Sequence, residues 1–253
     1  MFIEERLNKI LQLVQEKGRV TVIEATEYLE VSADTIRRDF RRLSEKGLVV
    51  RTHGGIMSKE SVSFDPGMSE KLIQHQKEKE AIAEKASELV KNSEIIILDA
   101  GTTTERIVKY LGEKKDITVL TDGLNIAVET TRRNIRTIIL GGNIRNSTLG
   151  ITGPDTIGMI EHYHADKLFL GVSAISAYKG LMTANRMEAE VKKSLIKSAN
   201  QVIVVADHSK MGKTAFYSFG SLEDIEVLVT DRKTESNFVK ELQDRDIEVL
   251  LAD

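Results

Sequence analysis

The sequence predicts an α+β protein of two domains: a small, mostly helical domain, then a larger α/β domain built on a mostly parallel sheet. Two observations carry this expectation. The first sixty residues show apolar side chains at helical spacing, punctuated by caps and glycines. From Glu94 onward, short apolar runs recur in series with helical stretches between most of them. A polar stretch at 58–67, SKESVSFDPG, carries one of only two prolines and separates the two patterns.

The chain has 253 residues and a formal net charge of -3, with 41% hydrophobic and 30% charged residues. That is enough apolar material for a core and an ordinary charge density for a soluble protein. There is no cysteine, which excludes disulfides, thiolate metal sites and cysteine nucleophiles and fits a reducing compartment. The N-terminal MFIEER has acidic residues where a signal peptide needs positive charge, and no apolar core follows. No window approaches the roughly 18 apolar residues of a membrane span. The expected location is cytoplasmic, with no membrane partner. Slight global acidity weighs against nonspecific nucleic-acid binding but leaves room for a local basic surface.

Ile3, Leu7, Ile10, Leu11 and Val14 predict a helix over 2–17, ended by Gly18. Thr21 and Glu24 have capping-box spacing and start a second helix near Val22, which carries Tyr28 and Leu29 and breaks at Val31. Ser32 is the next N-cap. Its helix runs to about Lys46, with Ile36, Phe40 and Leu43 as the buried stripe and Gly47 as the stop. LVVRTHGG then suits a small hairpin. Three short helices, a tight turn between the second and third, and a hairpin describe a winged helix-turn-helix over 1–57, with the helix-turn-helix at about 20–39.

In that arrangement the third helix enters the DNA major groove by its N-terminal residues. Charge alone does not decide the matter. Residues 32–47 hold five Lys/Arg and three Asp/Glu, a net of +2. Asp34 can pair with Arg38, and Asp39 with Arg42. The order of features is what points to DNA: two capped helices, a tight turn, arginines at the start of the second, then a basic hairpin. The candidate DNA contacts are Thr21, Ser32, Thr35, Arg37, Arg38, Arg41, Arg42, Arg51 and His53.

A linker is expected over 58–75 and the second domain over 76–253. Ile82, Ala86, Leu89 and Val90 repeat helically, so that domain opens with a long helix, with Lys77, Glu78, Lys79 and Glu80 on its outer face. Apolar runs follow at 95–98, 117–120, 135–140, 167–170, 202–206, 225–229 and 247–251, with helical stretches at 104–111, 124–132, 188–199 and 235–242. Ligands of such sheets bind beyond the carboxyl ends of the strands. There the sequence places DAGTTTE (Asp99, Gly101, Thr102, Thr103, Thr104), TDGLN (Thr121, Asp122), GGNIR (Gly141, Gly142), GVSA (Gly171) and ADHSK (Lys210). A glycine and three threonines at a helix entrance suit an anion, although no Walker loop is present. Lys210 is a point charge for a phosphate.

The pattern Arg6, Ile10, Val14, then Ser32-x-x-Thr35-Ile36-Arg37-Arg38-Asp39-Phe40, with RTHGG at 51–55, resembles the DNA-binding signature of the DeoR family of bacterial transcriptional regulators. LDAGTTT, LGG, the segment 180–191 and ADHSK resemble that family's effector domain, so the likeness spans nearly the whole chain. The resemblance implies a C-terminal fold like that of ribose-5-phosphate isomerase. It also implies a phosphorylated sugar held near the GTTT loop and Lys210, and a structural role for Asp39. One departure is Asp122, where the family commonly has asparagine; an ionised aspartate accepts but does not donate.

The expected function is a DNA-binding transcriptional repressor of carbohydrate-metabolism genes, controlled by a phosphosugar and acting as a homo-oligomer (dimer or tetramer) on operator DNA. The alternative is an isomerase-like enzyme. Asp99, Asp122, Glu188 and Asp207 could serve as its base, but GVSAIS offers no carboxylate and Glu188 and Glu190 suit a helix N-terminus. A third reading, an architectural DNA-binding protein, leaves the polar strand ends unexplained. His162, His164 and His208 lack metal-ligand or triad spacing; no cofactor, metal or catalytic residue is expected.

Overall fold

The computed structural model describes residues 3–52, 54–58 and 67–253; His53 and residues 59–66 of the expected linker lie outside them. The chain divides into two compact units, residues 1–64 and 65–253.

The first unit contains α1 (Ile3–Lys17), β1 (Arg19–Thr21), α2 (Val22–Leu29), α3 (Ala33–Glu45), β2 (Val50–Thr52) and β3 (Gly55–Met57). Gly18 adopts φ 72 and donates its amide to Val14, ending α1. Thr21 and Glu24 form the expected capping box, and Ser32 caps α3 by accepting from the Thr35 amide at 3.3 Å. Ile10, Val14, Ile36, Phe40 and Leu43 meet Val20, Val49 and Ile56 in one apolar core. Fully burying each large side chain is worth roughly 1.5–3 kcal/mol. The expected two-strand hairpin is a three-stranded antiparallel sheet, because β1 adds to β3 in the order β1-β3-β2. The strands approach so closely that a Cβ on Gly55 would lie 2.3 Å from the Val20 carbonyl oxygen.

The second unit begins with α4 (Met68–Ile73), α5 (Gln76–Ser87), β4 (Ile95–Leu98), α6 (Thr102–Ile107), β5 (Thr118–Thr121), α7 (Leu124–Arg132) and β6 (Arg136–Ile139). Next come β7 (Asn143–Arg145), β8 (Gly150–Thr152), α8 (Pro154–Ile160), β9 (Ala165–Leu170), β10 (Ala174–Ser176) and β11 (Gly180–Thr183). The chain ends with α9 (Arg186–Lys197), β12 (Ala199–Val205), β13 (Tyr217–Gly220), β14 (Val227–Asp231), α10 (Ser236–Gln243) and β15 (Glu248–Ala252). The single long helix expected at the start is two helices. Gln74 is extended and His75 is left-handed (φ 50, ψ 43), which breaks the backbone between them.

All seven expected apolar runs are strands of one sheet, ordered β15-β14-β12-β9-β4-β5-β6, and every pairing in it is parallel. Its side chains alternate between two cores. Ile97, Leu168, Val204 and Leu228 pack toward α9 and α10, while Ile96, Leu98, Phe169 and Val205 pack toward α5 and α6. This two-sided burial is why the strands read as continuous apolar runs. Two smaller sheets, β7-β8 and β10-β11-β13, were not expected. The strand order reverses direction between β4 and β9, so the crevice favoured by ligands opens beyond Leu98 and Leu170.

Candidate functional sites

On α3, the stripe Ile36, Phe40 and Leu43 is buried, which turns Arg37, Arg38, Arg41 and Arg42 outward. Asp39 is buried with them and accepts from Arg6 Nε at 2.5 Å and Nη2 at 3.1 Å. Asp39 therefore locks α3 to α1 rather than facing phosphates. Its attraction to Arg42 is looser, at 3.9 Å. The expected Asp34–Arg38 pair is replaced by Asp34–Arg37 at 2.8 Å, an i,i+3 pair on the exposed face. Such pairs are worth about 0.2–1 kcal/mol, little enough to be surrendered to a phosphate or base. Arg38 and Arg41 are exposed with no ion-pair partner among the described residues. Thr35 Oγ1 lies 2.9 Å from Ser32 Oγ. The Thr21 hydroxyl is committed to Glu24 at 2.8 Å. Arg51 is exposed on β2.

In the second unit, Asp99 sits at the topological reversal. Its Oδ2 accepts from the Gly171 amide at 2.9 Å and from Lys192 Nζ, while Lys192 Nζ also donates to the Gly171 carbonyl at 3.0 Å. Lys192 lies on α9, fully enclosed. Burial opposes its charge, but Asp99, Glu188 and Asp122 hold its pKa above the ordinary lysine value. Glu188 stands 3.6 Å from Lys192 and 3.1 Å from Arg145. Asp122 accepts from the Ala100 amide at 2.8 Å. Burial, and then the charge of Asp99, pushes the Asp122 carboxyl up to about 8. In its protonated form this carboxyl can donate as an asparagine would.

The remaining candidates divide. Thr102, Thr103 and Thr104 are buried in the first turn of α6, where the opening amides have no intrahelical acceptor. Gly101 caps that helix without a side chain, and Thr104 Oγ1 is spent on the Asp99 and Gly101 carbonyls at 2.6 and 3.0 Å. Thr121 Oγ1 ties β5 to β4 by donating to Leu98 O at 2.6 Å. Gly141 and Gly142 seat α8. Thr156 Oγ1 donates to Gly141 O at 2.8 Å, and a Cβ on Gly142 would meet that hydroxyl at 2.1 Å. Buried polar atoms without a hydrogen-bond partner among the described residues include Asp99 Oδ1, Glu105 Oε2, both amide atoms of Asn125, and Thr183 Oγ1. Orphans of this kind are the groups a polar ligand satisfies.

Lys79 overturns its expected place on an outer face. Because α5 starts at Gln76, its phase turns Lys79 inward, where Nζ donates to the Lys71 carbonyl at 2.5 Å. Burial brings its pKa down to about 8; Asp207 opposes that shift, and Lys210, Arg106 and Lys71 add to it. Burial also holds Lys210 below the ordinary lysine value, against the pull of Asp207. Lys210 Nζ has no hydrogen-bond or ion-pair partner among the described residues. Several cations gathered near one carboxylate, with an ammonium left over, make a place for an anion. Lys79, Lys192, Arg145 and Asn125 are absent from the sequence-based candidates. Lys192 carried a signal: with Ala189 and Leu195 it falls in the apolar stripe of its helix.

A model of the DeoR-like helix-turn-helix domain matches residues 6–62, and one of the DeoR C-terminal sensor domain matches residues 74–232. The chain belongs to the DeoR family. One relative, the HTH-type transcriptional regulator GolR of Listeria innocua, is 35% identical over 100% of both chains. The glycerol-3-phosphate regulon repressor of Escherichia coli is 32% identical over 98% of both. A ribose 5-phosphate isomerase A of Methanocaldococcus jannaschii shares 18% identity over 55% of each chain, with a TM-score of 0.41. DeoR membership makes this chain a helix-turn-helix transcriptional regulator with a sensor domain, and the enzyme alternative is set aside. No helix among the described residues is long and apolar enough to cross a membrane.

Proposed function

We propose that the protein is a cytoplasmic repressor of carbohydrate-metabolism genes, controlled by a phosphorylated sugar in its C-terminal domain. The observation that carries the effector reading is the ammonium of Lys210, without a hydrogen-bond or ion-pair partner among the described residues and close to Lys79 and Lys71, at the sheet edge that also holds the α6 amides. A phosphate suits those cations, and sugar hydroxyls suit Asp99 Oδ1, Asn125 and Asp122. Residues 1–57 are the DNA-binding domain and 76–253 the effector domain. Arg37 and Arg38 read bases, while Arg41, Arg42 and Arg51 meet phosphates. Paired half-sites call for a dimer or higher oligomer. To regulate, the effector must bind the DNA-competent and DNA-incompetent states with different affinity.

A thermal-shift panel of phosphorylated sugars tests this. A ligand at about 100 times its dissociation constant adds roughly 2.7 kcal/mol of stability and changes operator affinity in a mobility-shift assay. If no phosphosugar raises the melting point, or if Lys210→Ala binds as well as the wild type, the pocket assignment fails. Turnover of any such sugar would restore the enzyme reading.

A further inference from the structure

His75, Asp207 and His208 lie at the carboxyl end of β12, where their ligand-competent atoms all fall within 4.8 Å of one another. We propose that these three side chains form a site for one divalent transition ion of the zinc class, with one coordination position open. A tetrahedral ion bonded at about 2.0–2.1 Å needs its ligand atoms about 3.4 Å apart, so the three side chains must turn inward to hold it. Two imidazoles and a carboxylate are borderline ligands that suit zinc and its neighbours rather than magnesium or calcium.

The outer contacts are those of a metal-binding histidine. His208 Nδ1 lies 3.0 and 3.1 Å from the two oxygens of Asp231. That contact fixes the proton on Nδ1 and leaves Nε2 as the basic nitrogen. Asp231 is itself held by the backbone amides of His208 at 2.8 Å and Lys233 at 3.0 Å. Asp207 is buried and uses Oδ1 to accept from the Ser209 amide at 3.0 Å, which leaves Oδ2 for an ion.

His75 supplies an independent observation. It is a non-glycine residue in the left-handed region at the junction of α4 and α5, and its side chain caps nothing. Its ring meets His208 edge-on, with centroids 4.9 Å apart, and its nitrogens have no hydrogen-bond partner among the described residues. An ion gives both rings a shared partner and pins the head of α5 to the ends of β12 and β14. Lys79 and Lys210 oppose a dication nearby, while Asp207 and Asp231 together balance its two charges. The proposal does not rest on the identity of the effector.

Cobalt titration of the tag-free, EDTA-stripped full chain tests the site. Binding of one Co2+ per chain should produce the intense visible band of a low-coordinate ion, and Zn2+ should displace it. His75→Ala and His208→Ala should abolish the band, with far-UV circular dichroism confirming the fold. Asp231→Asn should weaken Co2+ binding about 10–100-fold. His164→Ala, a histidine outside the cluster, should change nothing; if it weakens the band, the ion sits elsewhere. Co2+ that stays hexa-aqua in spectrum up to millimolar concentration, or a band that survives in folded His75→Ala, overturns the proposal. Should His208→Ala unfold, His75→Ala alone decides, since His75 is half-buried at a helix end.

Discussion

Arg6 of α1 grips both oxygens of Asp39 on α3, at 2.5 and 3.1 Å, with both side chains nearly excluded from water. The pair sets how α3 sits on its own domain. Asp39→Ala leaves a buried guanidinium unpaired and should lower the stability of the N-terminal unit by about 3–5 kcal/mol. The apolar double replacement Arg6→Met/Asp39→Leu should recover most of that loss. Urea titration of the two variants checks this; equal losses would show that the residues are not coupled.

Under the proposed reading, Arg38 reads a base and Arg41 meets a phosphate. Arg38, at the leading turn of α3, should cost about 1–3 kcal/mol on change to alanine and relax preference at one operator position. Arg41→Ala should weaken all sequences alike and reduce the salt slope by about 1. Fluorescence anisotropy on operator and mismatched duplexes, over a salt series, distinguishes the two. Unchanged affinity in Arg38→Ala would remove it from the reading surface.

Asp122 gives a pH signature. Its folded-state pKa is raised to about 8 by burial and by Asp99, whereas an unfolded aspartate titrates near roughly 3.9. Between those values the folded state binds the extra proton, so stability falls as pH rises through that window and levels off above it. Asp122→Asn removes the effect. Its stability relative to the wild type should therefore grow from pH 5 to 8, by at most about 1.4 kcal/mol per pH unit. Thermal melts of both proteins across that range check the sign; a flat difference would show that Asp122 is ionised.

Lys79 should report on anion binding. Burial brings its pKa down to about 8, and a bound phosphate favours its charged form. Binding of a phosphosugar to EDTA-treated protein should then take up a fraction of a proton, and much less in Lys79→Gln. Calorimetry in two buffers of different ionisation enthalpy measures the uptake. Equal uptake in both proteins would place the proton elsewhere.

Much of the fold was legible because two-sided burial writes a strand as an uninterrupted apolar run. Ile95 to Leu98 and the six later runs needed no long-range information, and α7 was read to the residue. What escaped depends on partners distant in sequence. β1 has only Val20 to announce it and exists because β3 pairs with it. The left-handed turn at His75 has no glycine to signal it. Lys79 and Lys192 are lysines on helices, which sequence reading assigns to solvent unless the stripe they interrupt is followed. The strand-end candidates behaved unevenly for a related reason. Asp99 and Gly171 meet in space, whereas Gly141 and Gly142 serve the packing of α8.

The parallel course of all seven strands has a practical consequence. Every carboxyl end opens on the same edge, so the segments 99–105, 121–125, 171–174 and 206–210 can be varied together while Asp99, Thr104 and Thr121, which hold buried contacts, stay fixed. A library confined to those loops would explore new inducers on an unaltered framework, and a biosensor selected from it would inherit its DNA address unchanged.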